Sequence, residues 1–226
     1  MSDAVKRADR GVHVWDWPVR LFHWGLVAAL AVAWYSAEQG LDGFTLHKWA
    51  GYTILVLLVF RLLWGLVGSE TARFSDFVRG PATTLNYLRG WLRGDKGPTL
   101  GHNPLGGLAI LAMFGLIAFQ AVSGLFADDD ILVSGPFSSL VDGSTRRALT
   151  GWHKANFDWV LLVIGLHLLA LLLYRLVRRE RLVKAMITGY KEGVEGPAPW
   201  MAPLWRAVLL LAVSVALVAG AIAFFG

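Results

Sequence analysis

The 226-residue chain contains no cysteine, and only 16% of its residues are charged. The missing cysteines exclude structural disulfides, thiolate metal sites and any cofactor anchored through C-x-x-C-H. The charge content lies well below the roughly one quarter usual in soluble domains. Methionine is also scarce, at four residues, so there is no thioether cluster for copper. What fills the chain instead is apolar: hydrophobic residues make up 56% and mean hydropathy is +0.54. A length of 226 residues favours one domain.

Five apolar runs are long enough to cross a hydrocarbon core of about 30 Å. They cover about residues 18–37, 46–67, 104–126, 152–177 and 204–226. The expected class is an all-α integral membrane protein, a four-helix transmembrane bundle (18–203) plus a fifth, C-terminal transmembrane helix (204–226). Residues 1–17 read as a polar cytoplasmic arm. Ala31-Val32-Ala33 resembles a leader cleavage site, but the long polar segment before the first run favours a retained span. Pro18 and Asn103-Pro104 mark the starts of spans one and three. Residues 81–92 carry Leu85, Leu88 and Trp91-Leu92 at helical spacing beside Arg89 and Arg93, which predicts a helix lying in the headgroup layer, and residues 178–190 read as a second such helix. Ala216 and Gly220 give the fifth span a small-residue packing face.

Charge placement sets the expected orientation. The net charge of +5 could suggest nucleic acid, yet its distribution argues for topology instead. Of the 21 Lys and Arg, only Lys48, Arg146, Arg147 and Lys154 lie at the connections after spans one and three. Those connections hold seven of the 16 acids, including the Asp128-Asp129-Asp130 run, expected as a solvated loop. The positive-inside rule then predicts a cytoplasmic N-terminus and an external C-terminus. Most of the eleven tryptophans, among them Trp15, Trp17, Trp49, Trp64, Trp152 and Trp205, are expected in interfacial aromatic belts.

Ionisable groups inside spans default to a functional reading. His153 and His167 stand fourteen residues apart on the fourth run, just under four turns and about 21 Å along one helix face. With the expected topology, His47 enters at the level of His153 and His23 at the level of His167. Depth alone therefore sorts four imidazoles into two pairs. Interhelical hydrogen bonding is the plain alternative for any one of them, but four falling into two depth-matched pairs favour axial ligation of two haem irons. Without cysteine the haems must be non-covalent, and bis-histidine ligation suits electron transfer.

Arg61, fourteen residues after His47, projects at the depth of the inner pair. It either snorkels to the headgroups or pairs with a haem propionate. His102 is a candidate for a propionate or quinone contact, against a plain loop role, and His13 is expected to be solvated. Gly25, Gly51, Gly107, Gly115 and Gly165 would let a flat macrocycle approach the backbone, although glycine also serves ordinary helix packing. Arg20, Trp152 and Lys154 complete the candidate pocket and propionate contacts.

Four stretches together resemble the prokaryotic cytochrome b561 family, which includes the b-type cytochrome subunits of nickel–iron hydrogenases. They are Trp15-Asp16-Trp17-Pro18-Val19-Arg20-Leu21-Phe22-His23-Trp24, Leu46-His47-Lys48-Trp49-Ala50-Gly51-Tyr52, Gly101-His102-Asn103-Pro104-Leu105-Gly106-Gly107, and Trp152-His153 with Gly165-Leu166-His167. The likeness covers about residues 13–190. It implies a four-helix core with two b haems whose ligands map to His23, His47, His153 and His167. Members pass electrons between the membrane quinone pool and a periplasmic redox partner. The expected cofactors are two haem b groups and a bound quinone. The expected partners are the lipid bilayer, quinone and a periplasmic c-type cytochrome or hydrogenase, with a homodimer left open and no nucleic acid. The expected location is the bacterial inner membrane.

Two other functions were weighed. A stand-alone superoxide:quinone oxidoreductase would want a basic funnel at the outer face, which is acidic here. A zinc or copper transporter would want metal-binding clusters or an inverted repeat, and neither is visible.

Overall fold

The computed structural model describes residues 11–94, 99–129, 132–194 and 196–226. The first ten residues of the expected arm and Asp130 of the acidic run lie outside the described residues. Five long helices organise the rest: α1 (Trp17–Ala37), α2 (Phe44–Val67), α4 (Pro104–Leu125), α5 (Gly143–Leu173) and α7 (Leu204–Phe225). All five are long and apolar enough to span a membrane. Between them lie α3 (Pro81–Leu92), α6 (Leu182–Thr188) and a two-strand ribbon of β1 (Val12–His13) and β2 (Tyr190–Lys191). The bundle end carrying this ribbon is called basal here and the other distal.

Helix starts follow local chemistry. Asp16 accepts from Val19 N at 2.8 Å and caps α1, with Pro18 in its first turn. Asn103 caps α4 by accepting from Gly106 N at 2.8 Å. Asp142 accepts from Ser144 N and Thr145 N and starts α5 at Gly143. The fourth helix is thus about nine residues longer than its apolar run, which begins at 152. The cap and the Arg146–Asp128 ion pair at 3.1 Å sustain two polar turns outside the hydrocarbon. The Ser144 hydroxyl first, then the Thr145 N–H and hydroxyl, hold the Asp142 carboxyl well below the usual carboxylate range.

The packing hub is α2, which touches α1, α4 and α7. One cluster, Ala29, Ile54, Leu58, Ile117 and Val160, joins α1, α2, α4 and α5 at mid-bundle. A second, basal cluster includes Val14, Trp15, Val19, Phe60 and Trp64, with Ala185 and Ala207. Large apolar side chains elsewhere on the spans face outward, because lipid is as apolar as any core. Trp49, Trp152 and Trp205 are exposed, whereas Trp15 and Trp64 belong to the core rather than to a belt. On α7 the buried stripe is Ala207 and Ser214, while Ala216 and Gly220 stay open; the packing face is therefore not the expected one.

Two basal segments differ from expectation for a shared reason. The end of the arm is not free. Val14 N and Trp15 N donate to Gly189 O at 2.8 and 3.1 Å, and Thr71 Oγ1 donates to Val14 O. His13 rests on the Tyr190 ring rather than in solvent. The expected interfacial helix 178–190 is accordingly broken. After a π-turn (Tyr174–Arg178) and a left-handed Arg179, only α6 is helical, and β2 then pairs with β1. Gly189 needs its φ of +88°, and a Cβ there would lie 2.8 Å from Trp15 O.

Asp16 also bridges helices: its Oδ2 accepts from the buried Trp64 Nε1 at 3.0 Å. Asp16→Ala therefore removes a cap and leaves a buried indole N–H unpaired, a loss of about 2–4 kcal/mol. Thermal unfolding in detergent should show a melting temperature lower by roughly 5–10 °C, with Asp16→Asn recovering most of it.

Candidate functional site

At the distal end, His47 on α2 faces His153 on α5 across the bundle interior. Their ring centres are 6.1 Å apart and their planes nearly perpendicular, at 86°. Each ring is anchored through Nδ1. His47 Nδ1 donates to Ala33 O of α1, and His153 Nδ1 to Gln120 O of α4, both at 2.8 Å. Such a bond fixes the tautomer and leaves Nε2 as the electron-pair donor; that of His153 has Gln120 Nε2 at 3.4 Å. Two imidazoles sharing a metal at about 2.0–2.1 Å each have ring centres roughly 6 Å apart. The spacing and the tautomer suit one metal-centred group between them.

The His153 side of this pair is braced by residues the sequence reading did not single out. Gln120 Nε2 donates to His153 O at 2.9 Å, and Asn156 Nδ2 donates to Gln120 Oε1 at 2.7 Å and to Leu116 O at 3.0 Å. The buried Ser123 hydroxyl sits 3.4 Å from His153 Nδ1. Gly124 gives the imidazole its room, since a Cβ there would lie 2.8 Å from His153 Cε1. Two amides in otherwise apolar helices were the available signal. A Cβ added at Gly51, one turn beyond His47, meets nothing within 4 Å, so open space adjoins the pair.

The basal end gathers His23, Arg61, His102 and His167. His167 lies within electrostatic reach of both His23 and His102. The His102 ring is enclosed by Trp15 and Phe77, at centroid distances of 4.4 and 5.1 Å. Burial, then the charges of Arg61, Lys191 and His167, push its pKa down to about 3, so it is neutral at physiological pH. Arg61 does not snorkel. It is 4% exposed and lies over Phe74 and Phe77 at 5.0 and 5.8 Å. Three buried nitrogens here lack a protein partner: His23 Nδ1, Arg61 Nη1 and His102 Nδ1. A buried donor left unpaired costs about 1–3 kcal/mol, so three together mark a place shaped for a polar, acidic ligand edge. The residues of both ends thus fit a porphyrin with carboxylate side chains.

Several expected pocket residues lie elsewhere. Arg20 donates to Met186 O and Ile187 O and covers Trp17, so it ties α1 to α6 instead of lining a pocket. Gly107 makes room for the chain at Phe77, whose carbonyl oxygen would be 2.5 Å from an added Cβ. Trp152 and Lys154 point outward and are exposed. Gly25 packs against Leu57 at ordinary contact distance, while Gly115 and Gly165 adjoin open space.

Residues 14–189 match the family model described as prokaryotic cytochrome b561. The chain belongs to that family. Like other b561 members it is a multi-pass membrane protein of electron transport, and a b-type cytochrome family implies haem b. Curated relatives are similar over most of their length. A probable Ni/Fe-hydrogenase B-type cytochrome subunit from Azotobacter chroococcum mcd 1 is 24% identical, over 82% of this chain and 90% of that protein. The probable Ni/Fe-hydrogenase 1 B-type cytochrome subunit of Escherichia coli K12 is 24% identical, over 79% and 90%. A Rhizobium leguminosarum bv. viciae relative of the same description is 26% identical, over 70% and 69%. No solved structure matches the chain significantly.

Proposed function

We propose that this chain conducts electrons across the bacterial inner membrane through two non-covalent b haems, linking the quinone pool to a periplasmic redox protein. The carrying observation is the distal pair: two imidazoles 6.1 Å apart, each held at Nδ1 by a backbone carbonyl. His47 and His153 would hold one haem. His23 and His167 would hold the other about 21 Å nearer the basal side, by the rise of α5 between its two histidines. Bound haem supplies a one-electron carrier at each level.

The chain's own residues do the rest. His47 with His153 and His23 with His167 would each hold an iron from two sides, so neither haem would offer an open site for oxygen chemistry. Ala33 and Gln120 hold the distal rings by their carbonyls. Arg61 and His102 offer unpaired nitrogens to the carboxylates of the basal group, and the arm's Trp15 closes it from water. The names of the relatives favour a hydrogenase over a c-type cytochrome as the partner. The charge distribution supports a cytoplasmic basal end, which places the C-terminus in the periplasm.

The test is a reduced-minus-oxidised spectrum with haem quantification on protein purified in mild detergent. Two non-covalent haems per chain, both reducible by a short-chain quinol, are expected. Zero haem with bound zinc would overturn the reading, and turnover of superoxide without any partner would replace it with the oxidoreductase alternative.

A further inference from the structure

Where α5 ends, the chain turns back on itself and leaves a cleft of about 340 Å³ at the basal rim. Its lining divides by chemistry. Leu171, Leu182 and Val183 are apolar, Arg175, Arg181 and Lys184 bring cations to the mouth, and the one carboxylate, Glu180, is already paired with Arg178 and Lys191. The π-turn over Tyr174–Arg178 and the left-handed Arg179 (φ +58°) reverse the chain here and set α6 beside the end of α5. The cleft therefore sits where hydrocarbon gives way to headgroups, below the outward-facing Leu168 and Leu172 of α5.

The charges at this corner do not balance. From residue 175 to 192 the cations are Arg175, Arg178, Arg179, Arg181, Lys184 and Lys191, against the carboxylates Glu180 and Glu192. Glu180 is engaged by Arg178 at 3.3 Å and Lys191 at 3.2 Å. Glu192 is held by Lys184 at 2.5 Å, with Arg181 more loosely at 3.9 Å; the Lys184 contact keeps its carboxyl below the usual range. Among the described residues Arg175 has no ion pair or hydrogen bond. The cleft mouth thus keeps one free guanidinium and a second, half-exposed one, both in reach of the headgroup layer.

We infer that this cleft binds an anionic phospholipid, its phosphodiester held by Arg175 and Arg181 and an acyl chain lying along Leu171. A guanidinium fork matches two phosphate oxygens, and basic pockets beside spans are suited to anionic headgroups. The apolar lining distinguishes a lipid from a free anion: inorganic phosphate would satisfy the arginines but leave Leu171, Leu182 and Val183 bare. A zwitterionic lipid would bring a choline or ethanolamine cation into an already positive corner. None of the four histidines lines the cleft, and the proposal does not depend on haem.

The experiment uses the full-length protein in mild detergent, delipidated and then offered phosphatidylglycerol or phosphatidylcholine, with bound lipids counted by native mass spectrometry. The intact protein should retain one phosphatidylglycerol per chain under activation that strips phosphatidylcholine. Arg175→Gln with Arg181→Gln should lower that occupancy about tenfold, as expected for the loss of one to two charge-assisted bonds. Arg147→Gln near the start of α5, exposed at the opposite end of that helix from Arg175, should leave it unchanged. A second readout guards against misfolding. Phosphatidylglycerol should raise the melting temperature of the intact protein and not that of the double variant. Equal retention of the two lipids, undiminished phosphatidylglycerol in the double variant, or displacement of the lipid by millimolar inorganic phosphate would each overturn the assignment.

Discussion

Protein carrying His167→Ala should purify with one haem per chain instead of two, and the surviving haem should keep its absorption band and its potential. The asymmetry follows from how the four imidazoles are supported. His47 and His153 are fixed by Ala33 and Gln120, and neither anchor involves the basal residues. Under the proposed ligation, His167→Ala would remove one of the two residues holding the basal haem iron, while Arg61 and His102 would remain to meet its carboxylates. Those polar contacts alone would not retain the group against extraction, because the iron–nitrogen bonds would seat its centre. His153→Ala should give the reciprocal result, with the basal haem surviving. Quantification as the pyridine complex, with low-temperature difference spectra to separate the bands, makes the measurement. Loss of both haems, or of neither, from His167→Ala would contradict the pairing.

Arg61→Met should leave the haem count near two but lower the midpoint potential of the basal haem by on the order of 50–150 mV. Arg61 is buried and, among the described residues, has no carboxylate bonded to it, with its charge stacked on Phe74 and Phe77. Asp16, the acid whose charge acts on it, is already engaged by Val19 N and Trp64 Nε1. A positive charge so placed favours the reduced, more negative haem. One charge at an effective dielectric near 20 is worth about 1–4 kcal/mol at close range, and for one electron 59 mV is a tenfold change. Arg61→Lys should recover most of the potential, since it keeps the charge, but not all of the haem retention, since it loses the planar fork. Redox titration of both variants checks this. An unchanged potential in Arg61→Met would place the guanidinium's role in packing alone.

Much of this architecture is legible in the chain itself, and the gaps have physical causes. Hydropathy exposes five spans because lipid demands unbroken apolar surface on each. The proline and Asn–Pro signals mark the starts of α1 and α4 because capping is local chemistry. The start of α5 escapes a hydropathy reading because its first turns are polar and rest on Asp142. The β1–β2 ribbon escapes because two residues carry no periodicity. Gln120 and Asn156 are visible as polar residues in apolar helices, but only packing reveals that both serve His153. Arg20 shows the reverse error. A cation beside His23 in sequence reads as a ligand contact, yet the helix turns it toward the carbonyls of α6.

The hydrogen bonds from Val14 and Trp15 to Gly189 join segments about 175 residues apart in the chain. During synthesis the basal compartment must therefore stay uncovered until the residues after α6 have emerged. On the proposed two-haem reading, a basal haem would have a loading window that closes when the arm docks. The opposite compartment, whose histidines and anchors come from α1, α2, α4 and α5, would need no such latch and could be furnished earlier.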